Sequence, residues 1–467
     1  MRRATEALID EASWLRLDRA SGETLRAGLG RTIREAIREG SLRPGVRLPS
    51  SRRLAEHLGV SRGVTSDVYA QLSAQGYIVV ADRSAPVVAD VATVPGAGAA
   101  EPAPEPRAPE IDLSTWAPDT TLFPTRDWLN AAAKTLRSLP SRSLDYGDPR
   151  GETALRSVLS DHLGRTRGVI ADPERIVVVQ GARQAMDIVI RILAVRGERR
   201  IAVEDPSQTI PRDQMRIVGI EPVGCPLDEH GPILPAGLDA AALIVTPAHQ
   251  FPTGVVMSGE RRRAVLAWAR QAGAVVIEDD YDAEFRYDRE PVRALQGLDP
   301  ERVAYTGSVA KTFAPALRLG WLVVPADLAD HAAEMKRLLD SCSPRVDQLV
   351  LARLIESGDW DRHIRRVRAV YRARRDRVTE ALTRHLPGFE VSGVTAGLHV
   401  TVRFPAGLDD QAVAASAREL GVEVLPLSEF AVEPAPAGGL LIGYGHTHET
   451  AIDRAVRRVA EAIAATA

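Results

Sequence analysis

The chain has 467 residues, of which 45% are hydrophobic and 26% charged, and its formal net charge at pH 7 is −3. That length is too great for one hydrophobic core and predicts two or three domains with the composition of a globular protein. Two cysteines without metal-ligand spacing, no signal peptide and no long apolar run argue against a disulfide framework, a zinc site and a membrane span, and they favour the cytoplasm.

The N-terminal segment has the pattern of a small helical domain. Four aliphatic side chains spaced four apart form one apolar stripe of a first helix: Leu25, Leu29, Ile33 and Ile37. Ser50 or Ser51 can cap a second helix, and Ser61 can cap a third. Strand patterns at 77–80 and 87–88 then predict a hairpin. Three helices and a hairpin in so short a segment predict a winged helix-turn-helix.

This segment also carries an excess of positive charge. Residues 20–83 contain ten arginines and six acidic residues, so the remainder of the chain is acidic. A helix that begins at Ser61 presents Arg62 and Gly63 at its N-terminal end, where recognition helices meet base edges. Arg52, on the preceding helix, can contact the phosphate backbone. The alternative is a solvated arginine face without a DNA partner.

The run GSLRPGVRLPSSRRLAEHLGVSRGVTSDVYAQLSAQGY lies within residues 25–80, which resemble the GntR-type winged helix. By that resemblance, Arg52 and Arg62 match arginines that contact a double-stranded DNA operator. The wing departs from the family, because Arg83 and its neighbours stand where a glycine turn is usual.

Residues 94–109 read VPGAGAAEPAPEPRAP, a composition that cannot bury a core and is typical of a semi-extended linker. We therefore predict three parts. Residues 1–90 form the winged helix-turn-helix, residues 91–110 the linker, and residues 111–467 the body of the chain.

The body alternates between strand and helix patterns, which predicts an α/β domain with a mostly parallel sheet. The predicted strands are Ile176–Val179, Ile201–Val203, Leu243–Val245, Val275–Ile277, Val303–Tyr305 and Leu319–Val324. A long arginine-rich helix at about 359–386 leads to a small C-terminal α/β domain. The arginines between 362 and 377 are predicted to form a solvated helix face, with an accessory DNA surface as the alternative.

One strand of the body ends in a motif that suits pyridoxal 5'-phosphate. The segment YTGSVAKTFAPALRLGW delivers Ser308, Lys311 and Arg318 within eleven residues. A lysine amine can form a Schiff base with the cofactor, and a hydroxyl and a guanidinium can hold its phosphate. The chain has only three lysines, Lys134, Lys311 and Lys336, so each retained amine merits attention.

Two further strand ends complete the predicted cofactor site. AVVIEDDYDAEF ends with Asp279 and Tyr281, which at i and i+2 point to one face of a strand. A carboxylate there can keep the pyridine nitrogen protonated and a phenol can bond the ring oxygen, with Asp280 as the alternative carboxylate. VVVQGARQAMDIV is a strand, turn and helix, a place where N–H groups collect a phosphate, at Gly181, Ala182 and Arg183.

With these motifs, residues 112–460 resemble fold-type I aminotransferases, and the whole chain resembles the MocR/GabR regulators. Tyr146-Gly147-Asp148-Pro149-Arg150-Gly151 and the segment at 246–254 match as well. The resemblance implies an internal aldimine on Lys311, an effector-sensing body, and a homodimer of head-to-tail type. It also implies that Tyr146 reaches the phosphate held by the partner subunit.

Four positions depart from the aminotransferase pattern: Gln208, Phe251, Ala310 and Leu441. Leu441 stands where an arginine normally binds the substrate α-carboxylate, and Arg212 or Arg183 are the candidates to replace it. We therefore expect a regulator, not an efficient transaminase, whose effector is pyridoxal phosphate itself or an amine or amino acid held differently. The alternatives are a body that has lost the cofactor and a working aminotransferase.

Overall fold

The computed structural model describes residues 23–80, 85–90, 109–114, 117–140, 144–287, 292–433 and 438–466. The chain divides into two units, residues 1–107 and 108–467. Most of the predicted linker, residues 91–108, lies outside the described residues, as does Arg83 of the predicted wing.

The first unit contains three helices and a two-stranded antiparallel hairpin: α1 (Leu25–Arg38), α2 (Ser51–Leu58), α3 (Arg62–Ala74), β1 (Ile78–Val79) and β2 (Val87–Val88). Aliphatic side chains from all five elements form its core, among them Leu29, Leu54 and Leu72. The predicted winged helix-turn-helix is thus confirmed. Leu25 is the exception to the predicted apolar stripe, because its position in the first turn leaves it 42% exposed.

Local chemistry explains where α2 begins and ends. The Ser50 hydroxyl accepts a hydrogen bond from Arg53 N at 3.3 Å, which caps the helix. Gly59 ends α2 in the left-handed region at φ 64°, which a residue with a Cβ adopts less readily. Ser61 holds the N-cap position of α3, although its hydroxyl makes no capping hydrogen bond.

The second unit is built on ten helices and fourteen strands among the described residues. The helices are α4 (Thr125–Ser138), α5 (Thr153–Arg167), α6 (Ala182–Val195), α7 (Thr209–Ile217), α8 (Gly259–Ala272), α9 (Ala329–Asp340), α10 (Arg345–Glu356), α11 (Asp359–His385), α12 (Asp410–Glu419) and α13 (Glu449–Thr466). The strands are β3 (Ile111–Asp112), β4 (Ile176–Val179), β5 (Arg200–Asp205), β6 (Glu221–Asp228), β7 (Gly231–Pro232), β8 (Ala242–Val245), β9 (Val275–Asp279), β10 (Val303–Ser308), β11 (Gly320–Val323), β12 (Glu390–Ser392), β13 (His399–Arg403), β14 (Val422–Glu423), β15 (Leu425–Pro426) and β16 (Gly439–Gly443).

The large sheet has the strand order β4-β11-β10-β9-β8-β5-β6-β7. Strands β10, β9, β8, β5 and β6 are parallel, whereas β11 runs antiparallel to both of its neighbours. The central strands are buried on both faces, so they appear in the sequence as continuous runs of Val, Ile and Leu. This is the predicted α/β architecture with a mostly parallel sheet.

A smaller C-terminal layer completes the unit. Strands β12, β13, β16 and β15 form a four-stranded sheet, and the short strand β3 pairs with β14. Helices α11, α12 and α13 cover this layer and share one apolar core with it. Within the described part of the chain, every helix is too short or too polar to cross a membrane.

Strand register fixes which residues meet at the carboxyl edge of the large sheet. Val179 at the end of β4 lies opposite Gly320, which in turn lies opposite Ser308 at the end of β10. On the other side of β10, Thr306 lies opposite Asp279, the last residue of β9. In open α/β sheets this edge is where ligands bind.

Candidate functional site

The N-terminal end of α3 is the exposed part of the first unit that the sequence singled out. Ser61, Arg62 and Gly63 are all exposed. A Cβ added to Gly63 would meet only Ser61 Oγ, at 3.8 Å. The fold of the unit therefore does not require a glycine at this position, and the helix end remains open to a close partner.

Helix α3 is held against the start of α2 by hydrogen bonds from the buried face of α3. Thr65 Oγ1 donates to the Ser51 carbonyl at 2.7 Å, and the Tyr69 hydroxyl donates to the Pro49 carbonyl at 2.8 Å. On α2, the Arg52 side chain is 79% exposed and pairs with Glu56 at 3.1 Å. A pair so exposed contributes little to stability, so Arg52 is available to a polyanion.

In the second unit, Lys311 lies just beyond β10, in the turn that Ser308 begins. The Ser308 hydroxyl accepts from Ala310 N at 3.0 Å and donates to the Leu319 carbonyl at 3.3 Å. Burial lowers the pKa of the Lys311 amine to about 7, although the nearby Asp282 and Asp279 oppose that shift. An amine with such a pKa has a much larger neutral, nucleophilic fraction near pH 7 than an ordinary lysine.

Asp279 and Asp280 have different partners. Asp279 accepts hydrogen bonds from Thr306 Oγ1 and Gln208 Nε2, both at 3.1 Å, and burial raises its pKa to about 7. Asp280 forms a buried bidentate pair with Arg167, at 2.7 and 2.9 Å. Asp280 is thus neutralised by an arginine, and of the two carboxylates it is Asp279 that acts on the pKa of Lys311.

The predicted phosphate-binding residues meet at the edge formed by β4, β11 and β10. Gly181 adopts φ 83° before α6, and Arg318, itself left-handed at φ 50°, donates from Nη2 to the Gln180 carbonyl at 2.5 Å. A Cβ on Gly181 would lie 3.4 Å from Arg318 Nη1. The guanidinium thus lies in contact with the glycine turn. Ala182 begins α6, and the exposed Arg183 in its first turn contributes to lowering the pKa of Lys311.

Tyr281 is buried, but it does not lie on the strand with Asp279. Strand β9 ends at Asp279, so the expectation that the two residues point to one face of the same strand is wrong. Tyr281 instead lies in the following turn, where its hydroxyl is 3.0 Å from His249 Nδ1. The same nitrogen is 2.9 Å from Asp282 Oδ2. His249 and Asp282 were not among the predicted site residues, although both belong to the strand-end segments that carried the prediction.

Apolar side chains surround the Tyr281 ring. Leu441 is fully buried in β16 and packs with Phe251, Phe430 and Tyr281. A small cavity of about 20 Å³, lined by Gln208 and Asp279 among others, adjoins this cluster.

Neither arginine considered as a substitute for the missing carboxylate anchor lies in this cluster. Arg212 is buried, and its terminal nitrogens donate to the carbonyls of Ala431 at 2.7 Å and Glu429 at 3.5 Å. Its guanidinium therefore holds the backbone of the 427–431 segment. Tyr146 is not part of the cluster either, because its side chain is 83% exposed.

Comparison with known proteins identifies both units. Residues 109–459 match the family "Aminotransferase class I and II", and residues 25–88 match "Bacterial regulatory proteins, gntR family". The chain is 33% identical over 457 residues to the uncharacterized HTH-type transcriptional regulator YhdI of Bacillus subtilis (strain 168), covering 95% of this chain and 96% of the relative.

Two further relatives bear on the chemistry. The HTH-type pyridoxine biosynthesis transcriptional regulator PdxR of Corynebacterium glutamicum is 31% identical, covering 92% of this chain and 94% of its own. The crystal structure of the multiple substrate aminotransferase from Thermococcus profundus superposes with a TM-score of 0.72 at 26% identity, covering 78% of this chain and 93% of that one.

Fold and comparisons together define a transcription regulator with an aminotransferase-like domain. The chain belongs to the MocR/GabR family, in which a GntR-type winged helix precedes an aminotransferase class I and II domain. Such a domain implies pyridoxal phosphate as cofactor. The residues present fit that group, because an amine whose pKa is lowered, a buried carboxylate, and a guanidinium beside a glycine turn stand along one sheet edge.

The different partners of Asp279 and Asp280 predict different effects on stability. Asp280→Asn leaves the buried Arg167 guanidinium without its counter-charge and should lower the free energy of unfolding by about 3–5 kcal/mol. Asp279→Asn, with two neutral donors, should cost about 1 kcal/mol or less. Urea unfolding followed by tryptophan fluorescence measures both, because Trp321 and Trp360 are buried in this unit. Equal losses would show that the two carboxylates are not distinguished in this way.

Proposed function

We propose that this chain is a DNA-binding regulator whose second unit holds pyridoxal phosphate on Lys311 and serves for dimerisation and effector sensing. One observation carries the proposal. A lysine whose pKa is lowered to about 7 by burial lies beside Asp279 and Asp282, in a chain that also has a recognition helix with an open N-terminal end. Such a protein acts on the chromosome, in the cytoplasm.

Each predicted residue has a role under this proposal. The Lys311 amine would hold the cofactor covalently, Asp279 would pair with its pyridine nitrogen, and Tyr281 would donate to its ring oxygen. The phosphate is held by a basic and N–H-rich group at the sheet edge: Ser308, Arg318, Gly181, Ala182 and Arg183. When bound, the cofactor supplies an electron sink, which an amine effector can engage through the same aldehyde carbon.

A homodimer of head-to-tail type accounts for Tyr146. The segment around it exposes several large apolar side chains: Leu129, Leu136 and Leu144, at 61%, 55% and 68%. Large exposed apolar side chains concentrated in one segment mark an interaction surface. A second copy of the chain would cover them and would bring Tyr146 to the phosphate of the partner subunit.

The effector is pyridoxal phosphate itself or an atypical amine. Leu441 has no donor for a carboxylate, and its neighbours Phe251 and Phe430 are apolar as well. Burying a carboxylate among them without a partner is costly. Arg212 is engaged by the 427–431 segment, which leaves Arg183, at the exposed end of α6, as the remaining arginine for an acidic group.

Attachment of the cofactor should depend on Lys311 and on pH. Lys311→Ala should abolish borohydride-trappable pyridoxal phosphate, whereas Lys134→Ala, a change at an exposed lysine, should not. Because the neutral amine is the nucleophile, the rate of incorporation into cofactor-free protein should rise through about pH 7 and then level off. With a lysine of ordinary pKa, the rate of incorporation would keep rising until about pH 10. Labelling of Lys134 or Lys336 by mass spectrometry would contradict the assignment.

Alanine variants in and before the recognition helix should separate residues that read bases from residues that contact phosphate. Arg62→Ala should weaken operator binding by about 1–3 kcal/mol and relax base preference at one position. Arg52→Ala should lower affinity for all DNA sequences and reduce the salt dependence. Gly63→Ala should weaken binding while leaving the unit at least as stable, because alanine favours the helix. Fluorescence anisotropy over a salt series measures all three, and sequence-independent losses from both arginine variants would remove the base-reading role.

The effector proposal is tested on the loaded protein. Common α-amino acids and γ-aminobutyrate are titrated while the visible absorption is followed, and operator affinity is compared with and without cofactor. We expect the addition of cofactor alone to change DNA affinity, since the carboxylate anchor is missing. A micromolar response to one α-amino acid, with a matching change in DNA affinity, would overturn the proposal.

A further inference from the structure

Three buried polar groups lie in a row beside the cofactor residues. The Tyr281 hydroxyl is 3.0 Å from His249 Nδ1, and Asp282 Oδ2 is 2.9 Å from that same nitrogen. Only 1% of His249, 2% of Asp282 and 7% of Tyr281 is exposed. The roles proposed above use Tyr281 alone, and they leave the imidazole and its carboxylate without a function.

The carboxylate determines which nitrogen of His249 carries a proton. An ionised carboxylate only accepts hydrogen bonds, so Nδ1, at 2.9 Å from Asp282, must be the protonated nitrogen. A protonated Nδ1 cannot accept the proton of the Tyr281 hydroxyl. The phenol oxygen instead shares the Nδ1–H with Asp282. The phenol's own proton, which can also be donated to Asp282, is the one that the ring oxygen of a bound cofactor would accept.

The surrounding chain locks this pair in place. Gly397 has φ 79°, and a Cβ there would lie 2.3 Å from His249 Cε1 and 2.5 Å from Asp282 Oδ2. The segment before β13 therefore lies directly against the His249–Asp282 hydrogen bond. On another side, the His399 ring is 5.0 Å from the His249 ring, and its Nε2 is 3.2 Å from the Pro252 carbonyl.

We propose that His249, held by Asp282, is a positioning residue that directs the Tyr281 hydroxyl toward the ring oxygen of the cofactor. The imidazole thereby sets the pH at which the bound cofactor changes its absorption. The inference rests on the proposed attachment of pyridoxal phosphate to Lys311. A donor to the ring oxygen stabilises the negative charge there, which matters most when the neighbouring Schiff-base nitrogen has lost its proton. The hydrogen bond therefore lowers the midpoint pH of that titration.

Charged and titratable groups on several elements face this arrangement. Asp279 ends β9 and Asp282 follows that strand. Glu204 lies on β5, Arg183 is on α6 and His399 is on β13. Burial lowers the pKa of His399 well below its ordinary value, so this ring remains neutral and does not titrate in the range of interest. His249, Asp282 and His399 are also close enough together to bind a metal ion, which is the alternative interpretation of this group. Against it, His249 Nδ1 already contacts both Asp282 and Tyr281.

The test is a pH titration of the visible absorption of the full-length, cofactor-loaded protein. Tyr281→Phe should raise the midpoint by about one to two pH units, the effect of losing a hydrogen bond to a charged group. His249→Gln places its side-chain amide nitrogen at the position of Nε2 and leaves the position of Nδ1 without a donor. This variant should therefore raise the midpoint as well. His249→Asn places an amide nitrogen where Nδ1 lies and should keep the wild-type midpoint. The double variant Tyr281→Phe with His249→Gln should shift no further than Tyr281→Phe alone.

His162→Gln is the matched control, because this imidazole is buried like His249 but packs against Trp360, outside the Tyr281–His249–Asp282 group. Its midpoint should equal that of the wild type. A loaded wild-type protein without a Schiff-base spectrum would refute the proposed function. A coloured protein in which Tyr281→Phe or His249→Gln titrates like the wild type, or in which the two shifts add, would refute this inference alone. Stoichiometric metal in the purified protein, lost with His249→Gln, would also overturn it.

Discussion

The site depends on burying four carboxylates within five consecutive residues: Glu278, Asp279, Asp280 and Asp282. Such a cluster is prohibitively costly unless each member has its own hydrogen-bond donors. Glu278 accepts the backbone N–H groups of Leu295 and Gln296, at 2.8 and 2.9 Å. The three aspartates have, in order, two neutral donors, an arginine, and a histidine. Because the donors differ, adjacent residues of the same type have different chemistry.

The consequence for Lys311 is a balance of opposing effects. Burial disfavours the ammonium form, and Asp282 and Asp279 partly restore it, so that the pKa settles near 7. Asp280 is not among the groups that shift this pKa, and its buried pair with Arg167 lies outside the proposed cofactor contacts.

The two units place their chemistry in opposite environments. In the first unit the proposed contacts, Arg52 and Arg62, are exposed on a small helical core, as binding to a large polyanion requires. In the second unit the proposed contacts Asp279, Tyr281 and Ser308 are buried at a sheet edge, where desolvation shifts pKa values, whereas Arg183 and Arg318 are exposed. Leu441, Phe251 and Phe430 close that site with apolar groups. Under the proposed function, this arrangement retains a cofactor site but not the carboxylate anchor of an enzyme.

The sequence by itself determined the winged helix, the strands of the large sheet, and the segments that end at its carboxyl edge. These are local properties, because apolar periodicity, capping residues and glycine turns act over a few neighbouring positions. Only the tertiary structure decided which carboxylate faces Lys311, that Tyr281 lies beyond its strand, and that His249 and Asp282 stand behind it. Those outcomes depend on the register between strands and on contacts such as Arg167 with Asp280, which join residues 113 positions apart. No local pattern specifies such a contact, since it is fixed only when the whole sheet is assembled.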